Sequence, residues 1–215
     1  MLTRILILVN VLVYVGETLT GGPDSSYLVA NGLLVGANVA HGEYYRIVTS
    51  EFLHANFFHI ATNMFALYQV GTYVETLYGS TRMAIIYALA ILGAGISVVW
   101  FNYSIPTLGA SGAVFGLFGA LLAAGLRLGK PGRQLVQQSA GIIVLNLVLG
   151  FTIFSGFVSN AGHIGGLVAG FIFGYILFMG NRFNKMQQRE EVAVAAQGAL
   201  EPGQQIYEPP ARQAP

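Results

Sequence analysis

Ser111 stands in the run Gly109-Ala110-Ser111-Gly112, and His163 opens the run His163-Ile164-Gly165-Gly166 further on; both lead into apolar stretches studded with glycine. A serine hydroxyl is a poor nucleophile until a base accepts its proton, and His163 is the one candidate base on a comparable apolar stretch. The tetrahedral oxyanion of acyl transfer needs aimed donors. Free backbone N–H groups at a helix start could supply them, together with His59 and Asn63, which lie four residues apart and share one helix face. The uncharged runs hold no carboxylate. Glu75 lies 16 residues beyond His59, about 24 Å further along a helix axis, too far to orient His163. The chemistry suggested is a Ser–His dyad rather than a triad.

Membrane helices must position these residues. Residues 83–126 and 134–181, runs of 44 and 48, contain no Asp, Glu, Lys or Arg. Each run is long enough for two spans of ~20 residues. Of the 215 residues 9% are charged, 54% are hydrophobic and 28 are glycine; soluble domains carry about a quarter charged residues. The fold class is therefore all-α, a polytopic bundle of six transmembrane helices at roughly 5–19, 57–77, 83–101, 110–127, 136–155 and 161–181. Glycine at this level points to helices packed backbone to backbone. The absence of cysteine excludes disulfides, thiolate metal sites and a cysteine nucleophile. The histidines show no HExxH spacing, so neither a metal nor a cofactor is expected. A net charge of +1 with basic residues scattered in loops gives no nucleic-acid partner.

The first span is the least regular. Its uncharged run, Ile5 to Gly16, lies between Arg4 and Glu17 and also fits the short apolar core of a signal peptide. No A-x-A-like cleavage site follows and Asn10 interrupts the run, which favours a retained helix. With the N-terminus inside, inner segments hold Arg4, Arg82, Arg127, Lys130, Arg133, Arg182, Lys185, Arg189 and Arg212, while the outer segments hold Arg46 alone. Nine against one places both termini in the cytoplasm. Residues 20–56 form a long outer loop, too broken for a lipid-facing helix and too apolar for a free loop, so partial membrane insertion is expected. The domain reading is 1–183 as one membrane domain, with 184–215 as a cytoplasmic, disordered tail rich in Gln, Glu, Ala and Pro.

In this topology the helices carrying His59/Asn63, Ser111 and His163 all run inward, so the four side chains lie at one depth near the outer surface. His163, Gly166, Gly170 and Gly174 share one face, as do Gly112, Gly116 and Gly119. Facing glycine stripes would bring Ser111 towards His163. Each residue also has a plainer reading. Serine in a glycine-rich span usually packs or bonds its own helix; the histidine would serve equally in a proton relay or a pore lining. His59 and Asn63 could cross-link helices, and Glu75, near Tyr78 and Arg82, could tie structure together at the inner surface. A small-solute channel would need polar residues along a whole face, whereas the inner halves of these spans are Leu, Phe, Ile, Gly and Ala.

With these residues in place, the chain resembles the rhomboid intramembrane serine proteases from about Tyr44 to Tyr175. Tyr45-Arg46 stands where that family has Trp-Arg; His54, His59 and Asn63 follow with its spacing; Gly71 and Glu75 match its Gly-xxx-Glu. Gly109-Ala110-Ser111-Gly112 is similar to its nucleophile motif, and His163, Gly166 and Gly170 to its last-helix motif. The resemblance implies a six-helix bundle around a water-filled cavity open to the outer side. Ser111 would be the nucleophile and His163 the base, with His59, Asn63, Gly109 and the Ser111 N–H around the oxyanion. Arg46, His54, Glu75, Gly112, Gly166 and Gly170 would be structural. The implied substrates are single-span membrane proteins cut within the bilayer near its outer boundary. Two positions depart from the pattern: Tyr45 replaces Trp, and Phe115 stands where some members have Tyr, able to stack on His163 without a hydroxyl. The competing reading is a non-proteolytic membrane-protein binder of the same fold.

The basic asymmetry makes a topological prediction. A reporter fused after Tyr207 should read as cytoplasmic, and cysteines placed at Asn31 or Tyr103 should react with impermeant maleimide from outside. A reporter active only on the outer side would invert the arrangement.

Overall fold

A computed structural model describes residues 1–22, 26–152 and 159–180; the tail assigned to 184–215 lies outside the described residues. In chain order the helices are α1 (Leu2–Leu19), the short α2 (Tyr27–Gly32), α3 (Gly36–Ala40) and α4 (Arg46–Thr49), then α5 (Phe57–Tyr78), α6 (Ser80–Phe101), α7 (Ser111–Leu128), α8 (Arg133–Thr152) and α9 (Asn160–Leu177). Among the described residues no strand forms; one antiparallel bridge pairs Leu34 with Thr107. The described residues form an all-helical bundle with six long helices. Five segments among them are long and apolar enough to cross a membrane: Leu2–Leu19, Ser80–Phe101, Ser111–Leu128, Lys130–Thr152 and Asn160–Leu177. The sixth, α5, has 22 residues but is diluted by His59, Thr62, Asn63, Gln69, Thr72, Glu75 and Thr76.

Local chemistry sets the helix ends. The Asn56 side chain accepts the His59 N–H at 2.9 Å and starts α5. Gly79, at φ 81°, ends α5 and lets the chain turn at once into α6, so α6 begins three residues before the expected start at 83. Ser159 caps α9 by accepting the Gly162 N–H at 3.2 Å. Its hydroxyl also takes a bond from Asn102 beyond the end of α6, at 3.1 Å. Helix α8 runs from Arg133 rather than 136, continuing directly from a 3₁₀ turn at Lys130–Gly132 that hydropathy does not register.

At the centre sits α7, 72% buried against 17–39% for the other apolar helices. Its glycines face α9 directly. A Cβ on Gly166 would overlap the Gly112 carbonyl oxygen, and one on Gly170 the Gly116 carbonyl oxygen. A Cβ on Gly93 of α6 would stand 2.7 Å from Gly165 O of α9. Three helices thus touch backbone to backbone, a packing that only glycine admits. Outward-facing Leu8, Leu12, Ile85, Ile96, Val144, Val148, Val168 and Ile176 are exposed, the polarity a lipid-facing surface requires. At the C-terminal end of α5 the Tyr78 hydroxyl lies 2.8 Å from Ala120 O and 3.2 Å from Gly174 O, joining α5 to α7 and α9.

Between α1 and α5, residues 26–52 form a chain of short helices, of which α3 and α4 pack against α6. Leu34 and Val39 pack on Val98, with Ile47 and Val99 beside them. Arg46 is buried and serves as a staple: Nη1 donates to Ala30 O and Leu33 O at 3.2 and 3.0 Å, and Nε pairs with Glu43 at 2.5 Å. That guanidinium holds the Glu43 carboxyl below the usual carboxylate range.

Glu75 ties the first helix to the bundle. Its carboxylate accepts the N–H groups of Leu2 and Thr3 at 2.6 and 3.1 Å, the Thr3 hydroxyl at 2.8 Å and the Ser80 hydroxyl at 2.7 Å. The expected neighbour Arg82 turns instead to Tyr78 O and Met179 Sδ. The reason is electrostatic: α1 has no side-chain cap of its own, and its unpaired first-turn N–H groups draw the nearest carboxylate. Glu75→Gln puts a donor where two amide donors already point. It should cost about 1–3 kcal/mol of stability, seen as a lower Tm in detergent; an unchanged Tm would refute the tie.

Candidate active site

Ser111 is the first residue of α7 and His163 lies in the first turn of α9. The glycine seam brings these two helix starts together, and His163 Nε2 stands 2.8 Å from Ser111 Oγ. One turn below Ser111, Phe115 lies flat against the imidazole, with ring centroids 4.1 Å apart and planes inclined by 7°. The imidazole is held by this stack and by its helix. Its Nδ1 is buried and meets no protein partner among the described residues. For Nε2 to accept the serine proton, Nδ1 must carry the hydrogen.

Gly109 passes close beneath His59. Its φ is 122°, and a Cβ there would stand 2.6 Å from His59 Cε1 and 2.7 Å from Nε2. Both the backbone conformation and the space require glycine. The Ala55 N–H points at His59 Nδ1 at 3.4 Å, which favours the tautomer with its hydrogen on Nε2, the donor edge beside Gly109. Asn63 spends one amide hydrogen on His59 O at 3.0 Å, leaving a second. Ser111, His163, His59, Asn63, Gly109, Gly112 and Phe115 all line one cavity of about 250 Å³. A second cavity, about 720 Å³, shares His59, Thr107, Leu108 and Ser159 with it and is walled by Phe101, Ile105, Phe151 and Ile164.

The other sequence-derived residues stand back from this cavity. His54 is fully buried behind His59, the rings edge to face at 5.2 Å. Burial drives its imidazole down to about 4, the neighbouring His59 adding to the effect, so His54 is neutral at ordinary pH. Gly166 and Gly170 lie in the seam, Arg46 staples the outer loop, and Glu75 holds α1.

Two carboxylates here escaped the sequence reading. Glu17, near the end of α1, accepts the His54 N–H at 3.2 Å and so fixes the segment that leads into α5. Glu51, in the 3₁₀ turn Ser50–Phe52, accepts the Ala113 N–H in the first turn of α7 at 3.0 Å. Burial pushes the Glu51 carboxyl up to about 8, against the opposing pull of that N–H. The available signal was a lone acid in the otherwise uncharged stretch 47–74. A count of basic residues takes no account of it.

The family described as Rhomboid domain matches residues 41–180. The chain is 39% identical over 176 residues to the Rhomboid protease GluP of Bacillus subtilis, covering 79% of this chain and 33% of that protein. It is 36% identical to RHOMBOID-like protein 6, mitochondrial, of Arabidopsis thaliana, over 74% of this chain and 52% of that one. It is also 33% identical to Inactive RHOMBOID-like protein 8 of the same plant, over 69% of this chain and 42% of the relative. The chain thus spans about a third to a half of the length of these relatives.

Proposed function

The chain belongs to the rhomboid family of multi-pass membrane proteins, and on that premise we propose that it is an intramembrane serine endopeptidase working through Ser111 and His163. Family membership does not carry activity by itself, since one relative is named inactive. The observation that carries the reading is the 2.8 Å approach of His163 Nε2 to Ser111 Oγ, with Phe115 stacked on the ring.

His163 takes the proton of Ser111 as Oγ bonds to the carbonyl carbon of the scissile peptide. The carbonyl π pair moves to oxygen, where the Ser111 N–H, Asn63 and the Nε2 edge of His59 offer donors. Collapse of the tetrahedral species breaks the C–N bond, and the leaving amine takes the proton from His163. Water, deprotonated by the same imidazole, then hydrolyses the ester and restores Ser111. The scheme calls on no metal or cofactor.

Substrates on this reading are single-span membrane proteins, cut near the outer boundary of the bilayer where a segment can unwind. Unwinding is required because a helical peptide bond is shielded from attack. The charge distribution supports cytoplasmic termini, an extracytoplasmic site and an inner or cell membrane location. Residues 1–183 would make the protease domain, and 184–215 a cytoplasmic tail.

Ser111→Ala should abolish cleavage of a model membrane substrate and labelling by a fluorophosphonate probe, with the Tm retained. Losing a nucleophile costs several powers of ten, and cleavage by clean Ser111→Ala protein would refute the assignment. Asn63→Ala should lower turnover by ~10²-fold if its amide serves the oxyanion; parallel falls in Tm and activity would instead make it a packing residue.

A further inference from the structure

Helix α7 begins without a cap of its own, for its preceding residue is Ala110 and no side chain nearby in sequence bonds its first turn. Its cap comes from the distant outer loop. We propose that Glu51 is a positioning residue for Ser111, its turn clamping the chain on both sides of the nucleophile. This proposal rests on the proteolytic reading above. On one side the Ser50 carbonyl accepts the Gly109 N–H at 2.9 Å. On the other the Glu51 carboxyl accepts the Ala113 N–H at 3.0 Å. The Val114 N–H is taken by Ala110 O. The amides of Ser111 and Gly112 have no protein acceptor among the described residues, so the clamp occupies the flanking donors and spares the two nearest the developing oxyanion.

The packing points the same way. A Cβ on Gly112 would lie 2.5 Å from Glu51 Oε1 and 2.6 Å from Ala94 Cβ. Gly112 therefore leaves room for a carboxyl wedged beside the nucleophile, as well as for the approach of α6. This role for Gly112 is separate from its contact with Gly166 in the seam.

The protonation state of Glu51 matters to the reaction. Neutral, it accepts the Ala113 N–H and adds no charge. Ionised, it places a buried negative charge beside the helix start where the oxyanion would form, opposing that charge in a medium that screens poorly. Burial holds Glu51 protonated up to about pH 8, so catalysis should decline as pH rises through that value. Tyr87 on α6 interacts with it electrostatically, and the elements around it also carry Glu17 on α1, Arg46 on α4, His54 before α5, His59 on α5 and His163 on α9. None of them makes a hydrogen bond or ion pair with Glu51 among the described residues.

The test compares full-length wild type, Ser111→Ala, Glu51→Gln and Glu51→Ala in detergent and in liposomes. It reads kcat and KM on a membrane substrate from pH 6 to 10, fluorophosphonate labelling of Ser111, and Tm. Glu51→Gln keeps an acceptor for Ala113 without a titratable carboxyl; it should match wild type within ~3-fold at pH 7 and lack the alkaline decline. Glu51→Ala should lower kcat and the labelling rate by ~10–100-fold with KM little changed, the cost of a slightly misplaced nucleophile. Unchanged kcat in Glu51→Ala, or an alkaline decline of the same midpoint in Glu51→Gln, overturns the proposal. So do equal losses of kcat and Tm in both variants. If Glu51→Ala does not fold, the Glu51→Gln profile decides. Wild-type protein that neither cleaves nor labels refutes the proteolytic reading itself. Active wild type with inactive Ser111→Ala and unaffected Glu51 variants refutes this proposal alone.

Discussion

The contact between α7 and α9 without side chains is the constraint from which the rest of the structure follows. In a lipid surround apolar side chains gain little by leaving the solvent, so helices stay together through close van der Waals packing and interhelical bonds. Gly112 and Gly116 of α7 meet Gly166 and Gly170 of α9 with carbonyl oxygens standing where side chains would be. That proximity fixes the distance between the two helix starts. A serine and an imidazole reaching out from them close to 2.8 Å. Larger residues in the seam would separate the helices and, with them, the Ser111 hydroxyl from the His163 imidazole. On the proteolytic reading the packing and the chemistry are one feature.

Buried carboxyls complete what the seam leaves open. Backbone N–H groups removed from water must find acceptors, and three acids supply them at a distance in sequence. Glu75 accepts the first amides of α1, Glu17 the His54 amide, and Glu51 the Ala113 amide. Glu75 and Glu17 fasten α1 at both ends: Glu75 of α5 reaches its start, and Glu17 near its other end holds the segment before α5. His59 and Asn63 thereby stand on a helix whose entry is anchored, and the outer turn carrying Glu51 is bound to α7. Each acid works through its oxygens rather than through ion pairing, since Arg46 with Glu43 is the sole ion pair among the described residues.

Much of this was legible in the chain because it obeys a period or a count. Uncharged runs of 44 and 48 residues locate four of the spans, and stripes at helical spacing reveal which faces meet. Spacing put Phe115 on the flank of Ser111, since residues four apart share a face, and its stack on the His163 ring was suggested by the family resemblance rather than by any period. What stayed hidden obeys no period. A carboxylate that caps a helix 62 residues away, as Glu51 does for Ala113, leaves no mark in either local sequence. Glu75 shows the same limit. Sequence neighbourhood pointed to Arg82, whereas the acid turned to the amides of α1, brought there by tertiary packing. The start of α6 moved because Gly79, with its left-handed φ, made a turn too tight for hydropathy to detect.

Among the described residues His163 has no charged partner, and its surroundings supply a physical reason. A carboxylate aimed at the buried Nδ1 would have to be desolvated along with it, at a cost of several kcal/mol. The face of Phe115 meets the imidazole across 4.1 Å and fixes the ring plane without adding charge. Orientation then comes from shape and from helix α9, whose start is itself fixed by Ser159 and, through it, by Asn102 of the α6–α7 connection. On the proteolytic reading, the imidazole must become charged only while it holds the serine proton. At that moment the oxyanion is present across the cavity to balance it. Bringing the two charges into being together, between preset donors and a preset ring, is what a site walled by glycine backbone and aromatic carbon is suited to do.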